Sequence, residues 1–375
     1  MSLAQSIVVS RAPLLAFFAM GMGWGGFAVY VPVFRERQAV GDALFGVLLL
    51  GSALGLVSAM WIAPRVDRRL GMAALPAASI ALALAFLLPA SAPIPALFAV
   101  AMVCTGLASG LTDVIMNARV ADLEARHRRS LMNVNHGMFS VGYAISALMA
   151  GAAREAGLPP QVYFGVLMLI TGVMAIGTAS LAEIVEEGAE AAALRTPIGV
   201  IAAAGGIVLT AFMIEHAIEA WSALHIERTL GGRAAEGALG AATLGLTMAI
   251  GRFGGQLVAE RLPDRKVLLW AAALTSAGLV TAGLAPVPLV AYLGVGMTGL
   301  GVSVIGPIAL GLAGRAAVPS DRTRVIARTA VIGFMGFFLS PLIMGSLSEA
   351  FSLSVALCLM GVAPVMVPVL LRRLR

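Results

Sequence analysis

The sequence predicts an all-α membrane protein: twelve transmembrane helices in two six-helix bundles, with both termini cytoplasmic. Three observations carry that prediction. Of the 375 residues, 60% are hydrophobic and only 12% charged, with a mean hydropathy of +0.96, which leaves too little polar surface to coat a water-soluble globule. Apolar stretches of about 20 residues, enough to cross a ~30 Å hydrocarbon core as a helix, recur along the chain, whereas the alternating runs of a membrane barrel do not occur. The basic residues cluster between those stretches, mostly in alternate connections.

Apolar runs bounded by charges and Gly/Pro turns place the first six spans near residues 12–34, 42–63, 72–90, 94–118, 132–152 and 160–183. The second six fall near 197–225, 236–259, 267–286, 288–314, 324–347 and 352–371. With the N-terminus inside, all of the 25 basic residues except Arg35, Arg37, Arg154, Arg228 and Arg233 are assigned to the inner side, Arg252 among them. The net charge of +6 therefore reads as membrane orientation and not as a nucleic-acid footprint. Cys104 and Cys358 lie within apolar segments, where a thiol packs as a small hydrophobe. The first apolar segment lacks a small-residue cleavage site and is expected to stay in the protein.

Residues 184–196, carrying Glu186, Glu187 and Glu190, form an acidic cytoplasmic linker between an N-terminal bundle (1–183) and a C-terminal bundle (197–375). Gly106-Leu107 and Gly299-Leu300 are offset by the same interval as Arg68 and Arg261, the weak trace of an internal repeat. Parallel six-span repeats around a central site are a transporter architecture.

Ionisable groups inside hydrocarbon cost several kcal/mol each, so those present are functional candidates. In the fourth span, Asp113 and Asn117 share a helix face at i, i+4. In the seventh, Glu215, Glu219 and Ser222 form one stripe, with His216 beside it and Trp221 further along. A carboxyl in a low-dielectric cavity holds a proton more readily than one in water, so these acids suit proton loading beside a polar solute. The competing reading is an acid paired with Arg that locks two helices. The fifth span places Asn133, His136, Ser140 and Tyr143 on one face. His136 fits either a proton shuttle or a neutral interhelical hydrogen bond. Trp24 and Trp221 fit either stacking on a sugar ring or packing. Gly137, Gly142, Gly333 and Gly336 read as close-packing positions.

Several of these segments resemble a known family. Gly106-Leu-Ala-Ser-Gly-Leu-Thr-Asp113-Val-Ile-Met-Asn117 and Met132-Asn-Val-Asn-His136-Gly-Met-Phe-Ser140-Val-Gly142 are similar to the fourth and fifth spans of fucose-permease-like major facilitator proteins of bacterial inner membranes. Glu215 with Trp221-Ser222-Ala223, Gly299-Leu-Gly-Val-Ser-Val-Ile-Gly-Pro307 and Gly333-Phe-Met-Gly-Phe-Phe-Leu-Ser-Pro341 extend the likeness over the second half. The resemblance implies the major facilitator fold, with an acid at Asp113 for proton coupling and substrate binding. It also implies gating residues in Pro64-Arg-Val-Asp67-Arg68-Arg69-Leu-Gly71 and Gly251-Arg252 to Glu260-Arg261, where Arg252 and Glu260 fit either a latch or snorkelling to the interface. The chain departs from the family's pattern in the first span, where Phe27-Ala-Val-Tyr-Val carries no acid, and in the seventh, where His216 and Ala220 replace a Gly and an Asp, so fucose itself is not expected.

The expected function is secondary active transport: proton-coupled uptake of a small polar, sugar-like solute by alternating access. Proton coupling is assigned to Asp113, Glu215 and Glu219, and substrate binding to Asp113, Asn117, His136, Ser140, Glu215, Trp221 and Trp24. Gating falls to Asp67, Arg68, Arg252 and Glu260. The partners are the solute, protons and the lipid bilayer, with no nucleic acid, metal or cofactor, and the protein is expected to be a monomer in the bacterial inner membrane. The alternatives are a proton-driven exporter of amphipathic compounds, disfavoured because the fifth span has no proline between His136 and Gly151, and a non-transporting receptor. An enzyme is not expected, since neither a His-Glu-x-x-His pair nor a phosphate-binding Gly-Lys-Ser/Thr loop occurs.

Overall fold

The computed structural model describes residues 3–128, 130–180, 196–259, 262–318 and 321–374. Glu260, Arg261 and all of the acidic linker except Thr196 lie outside them. Among the described residues there is no strand. The helices are α1 (Leu3–Val9), α2 (Arg11–Gln38), α3 (Asp42–Leu70), α4 (Ala74–Ala85), α5 (Leu87–Ser91), α6 (Pro95–His127), α7 (Met132–Glu155) and α8 (Pro160–Ile176). After the linker come α9 (Ile198–Leu224), α10 (Ala234–Ala259), α11 (Asp264–Gly283), α12 (Pro288–Ala316), α13 (Arg322–Ala350), α14 (Leu353–Met360) and α15 (Met366–Leu371).

Each predicted span overlaps one helix or a helix broken in two, with residues 181–183 of the sixth lying outside the described ones. Nine stretches among the described residues are long and apolar enough to cross a bilayer, one of them the 50-residue run Asp42–Ser91 that holds two predicted spans. The 17-residue α8 is apolar but shorter, and α7 falls outside the nine because Asn133, Asn135, His136 and Ser140 dilute its first half. The third span breaks at Phe86 for a local reason. Pro89 has no N–H to offer the carbonyl four residues back, and that carbonyl, on Ala85, instead accepts from Thr105 Oγ1 at 3.1 Å. Pro364 likewise separates α14 from α15.

Without water between helices in lipid, close backbone approach does the packing. Gly21 and Gly25 on α2 face the carbonyls of Phe139 and Tyr143 on α7 so closely that a Cβ at either would collide with them. Gly55 on α3 meets Val103 on α6, and Gly336 on α13 meets Leu209 on α9, in the same way. The pairing repeats: α2 packs on α7 as α9 packs on α13, and α3 on α6 as α10 on α12. Helices α2–α8 meet α9–α15 mainly where α7 lies along α10 and α3 along α13. Large apolar side chains remain exposed on the outer faces, such as Leu169, Val173 and Trp270, a surface suited to acyl chains.

Candidate functional site

At the seam between these two sets of helices, α7, α9 and α10 bring five polar side chains together. Arg252, on α10, donates from Nη2 to Glu215 Oε1 on α9 at 2.7 Å. Its Nη1 donates to Ser140 Oγ on α7 at 2.5 Å and to the His136 carbonyl at 3.3 Å. The guanidinium also lies 5.9 Å from the centroid of the Phe139 ring. Glu219, one turn beyond Glu215, feels the charge of both Glu215 and Arg252, and both glutamates act on the phenol of Tyr143. The Tyr143 hydroxyl is buried with no hydrogen-bond partner among the described residues. Arg252 and Glu215 are mostly shielded, with 10% and 14% side-chain exposure. A charge turned toward lipid at this depth would be far more costly.

Helical periodicity explains why one face supplies each set. His136, Ser140 and Tyr143 recur at i, i+4 and i+7 on α7, as do Glu215, Glu219 and Ser222 on α9. The His136 ring stands edge-on to Phe17 of α2 at 4.7 Å. His216 turns away from Arg252, its Nδ1 lying 3.3 Å from Ser340 Oγ on α13 and its ring edge-on to Phe337. Asp113 and Asn117 form a second, separate pair on α6, Asn117 Nδ2 donating to Asp113 Oδ1 at 2.9 Å. Among the described residues no hydrogen bond or ion pair joins this pair to Arg252 or His136.

The two tryptophans stand apart from this cluster. Trp221 is fully buried, its ring T-shaped against Phe45 of α3 and its Nε1 without an acceptor among the described residues. Trp24 lies edge-on to Phe27 and Phe86 in an aromatic group within α2–α8.

Arg252 lies within α10, as the expected span 236–259 has it, and its charge is held by Glu215. Asp67 pairs with Arg119 on α6, at 2.9 and 2.5 Å, while Arg68 is exposed. Arg119 is almost fully buried and also reaches the Ser180 carbonyl. A matching pair, Asp264 with Arg315, links the corresponding points of the second half. These pairs span 52 and 51 residues, a sharper trace of the repeat than the glycines.

The opposite end is held differently. Arg154 at the end of α7 donates to both carboxylate oxygens of Glu227, at 2.5 and 2.7 Å. Arg228 grips Asp42 at 2.7 and 2.6 Å, and Ser348 of α13 donates to the same carboxylate at 2.5 Å. The backbone N–H of Ala43 donates to Glu349, and that of Ala235 to Glu155. Each of these contacts joins α2–α8 to α9–α15. At the Asp67 end the described ion pairs stay within one set. The two sets of helices are thus tied together at the Asp42 end. Sequence reasoning placed Arg154 and Arg228 on one side but could not pair them, since their partners are 73 and 186 residues away.

Comparison with known proteins agrees with this architecture. The Major Facilitator Superfamily profile matches residues 201–375. An uncharacterized MFS-type transporter of Yersinia pestis is 28% identical over 346 residues, covering 91% of this chain and 89% of its own length. Among solved structures, a bacterial homologue of the human lysosomal transporter Spinster, inward-facing and occupied, superposes with a TM-score of 0.73 at 14% identity, covering 98% of this chain and 95% of its own. A D-xylose-proton symporter gives 0.71 at 15% identity, covering 96% of each chain. At such identities the structural likeness is one of fold.

Proposed function

We propose that the chain is a multi-pass transporter of the major facilitator type, which its profile match and relatives support, and that it is a proton-coupled symporter taking up a small polar solute across the bacterial inner membrane. In this reading the chain crosses the bilayer twelve times with both termini in the cytoplasm. The bundles 1–183 and 197–375, joined by the linker 184–196, rock about the seam where α7 meets α10 and α3 meets α13. The Asp42 end faces outward, so the conformation described is closed to the outside.

The observation that carries the proposal is the pairing of Glu215 with Arg252 at the seam, beside Ser140, His136, Tyr143 and Glu219. A carboxylate held by a single arginine bond in a partly hydrated, low-dielectric space can exchange that partner for a proton, and the change alters what else the space can bind. Asp113, hydrogen-bonded only within its own helix among the described residues, is a second proton carrier. Alternating access then needs the Asp42-end clamp to open when the seam is loaded from outside. The D-xylose-proton symporter shares this fold, which agrees with proton coupling in the same architecture.

The test is ligand-dependent thermal stability of the detergent-purified protein against sugars, nucleosides, amino acids, small organic acids and amphipathic cations, at pH 5.5 and 7.5. The expected result is a rise in Tm with one small polar solute, larger at pH 5.5. In proteoliposomes, an inward proton gradient should concentrate that solute, and Asp113→Asn should abolish concentration while sparing exchange. Stabilisation by amphipathic cations alone would overturn the proposal.

A further inference from the structure

The arginine at the seam is bound more sparingly than the arginines that hold the fold. Arg119, Arg154 and Arg228 each grip their carboxylate through two parallel bonds. Arg252 meets Glu215 through one, Nη2 to Oε1, and spends Nη1 on Ser140 and the His136 carbonyl. Among the described residues its Nε–H makes no hydrogen bond, so once Glu215 leaves Nη2, the Nε–H and Nη2–H edge can meet a planar acceptor. A guanidinium fork of this kind matches a carboxylate in shape and charge.

Charge balance sets what can enter. The titratable groups around Glu215 are Glu219 on α9, Arg252 on α10, and His136 and Tyr143 on α7. The other helices packed on α9 place their charged residues elsewhere: α2 near its ends (Arg11, Arg35, Glu36, Arg37), α12 at Arg315, and α13 at Arg322, Arg324, Arg328 and Glu349. Two carboxyls therefore face one guanidinium, and the cluster is neutral when one of the two is ionised. A proton added to that remaining carboxylate leaves Arg252 with no counter-ion in a poorly hydrated space, a state penalised by several kcal/mol. An arriving anion removes the penalty, and a neutral solute does not.

We propose that the transported solute is a small organic carboxylate, bound through its carboxylate to Arg252 in place of Glu215 when the cluster takes up its proton. At this cluster one proton and one monoanion then bind together and the loaded site is neutral, so the coupling here follows from electrostatics, beside the proton carried by Asp113. The proposal rests on the symporter reading above and adds the charge of the solute.

Three pairs of compounds that differ only in carboxylate against hydroxymethyl test it: gluconate and sorbitol, lactate and 1,2-propanediol, benzoate and benzyl alcohol. Thermal stabilisation of the full-length protein is read at pH 5.5 and 7.5. The expected result is that at least one carboxylate, and not its alcohol partner, raises Tm, more so at pH 5.5. Glu215→Gln/Glu219→Gln, which removes both competing carboxylates, should bind that carboxylate about tenfold more tightly than wild type at pH 7.5 and lose the pH dependence. Arg252→Gln should not bind it, nor should the charge-neutral double variant Glu215→Gln/Arg252→Gln, which keeps the test readable if the single variant does not fold. Stabilisation by none of the three carboxylates, or by an alcohol and equally in the charge-neutral double variant, overturns the proposal. A pH-dependent shift with a neutral solute would overturn the anion assignment and leave the symporter standing. A carboxylate bound through Arg252 with no pH dependence in wild type would overturn proton coupling at this cluster, and with it the exchange step proposed here.

Discussion

Arg154 and Glu227 face each other through two parallel bonds of 2.5 and 2.7 Å, tying the end of α7 to the chain just past α9. Both side chains are largely shielded, with 11% and 14% exposure, so water does little to weaken the pair. Glu227→Gln should loosen the clamp and raise the population open at the Asp42 end. Breaking a shielded pair need shift the balance by only about 1.4 kcal/mol to raise that population tenfold. The measurement is labelling of Ala238→Cys by an impermeant maleimide added outside, in a background with Cys104 and Cys358 replaced by Ser. Ala238 is 1% exposed against Gly151, so faster labelling in Glu227→Gln reports opening, and an unchanged rate would exclude the pair as a clamp.

Asp67→Asn should destabilise the fold at the other end, because Arg119, 2% exposed, would keep a buried charge with its main partner gone. The expected loss is about 3–5 kcal/mol, seen as a lower Tm in detergent. The double variant Asp67→Asn/Arg119→Gln should recover much of it, since both charges are then absent.

Gly25→Val should lower the yield of folded protein. Its side chain would be driven into the Tyr143 carbonyl, and α2 and α7 can separate only by giving up the contact that Gly21 makes one turn below. Overpacking of this kind costs about 1–3 kcal/mol, and size-exclusion profiles after heating would register it. Gly165→Ala, at a glycine with nothing near its Cβ position, is the control expected to behave like wild type.

Trp221→Phe separates the two roles open to that tryptophan. The indole N–H has no acceptor among the described residues, so its removal should change Tm little, whereas Trp221→Ala should cost about 3–5 kcal/mol through the cavity it leaves. A well-folded Trp221→Phe with weakened solute binding would show that the N–H meets solute in another conformation. Unchanged binding would make it a packing residue against Phe45.

Much of this protein was legible in one dimension because hydropathy and helical period are local properties. The apolar runs predicted where helices form, and i, i+4 and i+7 spacing grouped His136 with Ser140 and Tyr143, and Glu215 with Glu219. The break at Phe86 and the length of α6, which runs to His127 beyond its apolar part, were less visible, since a proline's effect and a helix's polar extension depend on what satisfies the backbone nearby.

The sequence by itself determined that the chain enters a membrane as helices and which face of each is polar, because burying unpaired backbone or charge in hydrocarbon admits few alternatives. Only the tertiary structure decided which polar faces meet. Glu215 could have opposed Asp113, yet the rotation of α9 and α10 turns it to Arg252, while Asp113 stays with Asn117. Arg154 finds Glu227 and Arg228 finds Asp42 for the same reason: partners across helices are set by how the helices are rotated and packed together, and close glycine contacts set that packing.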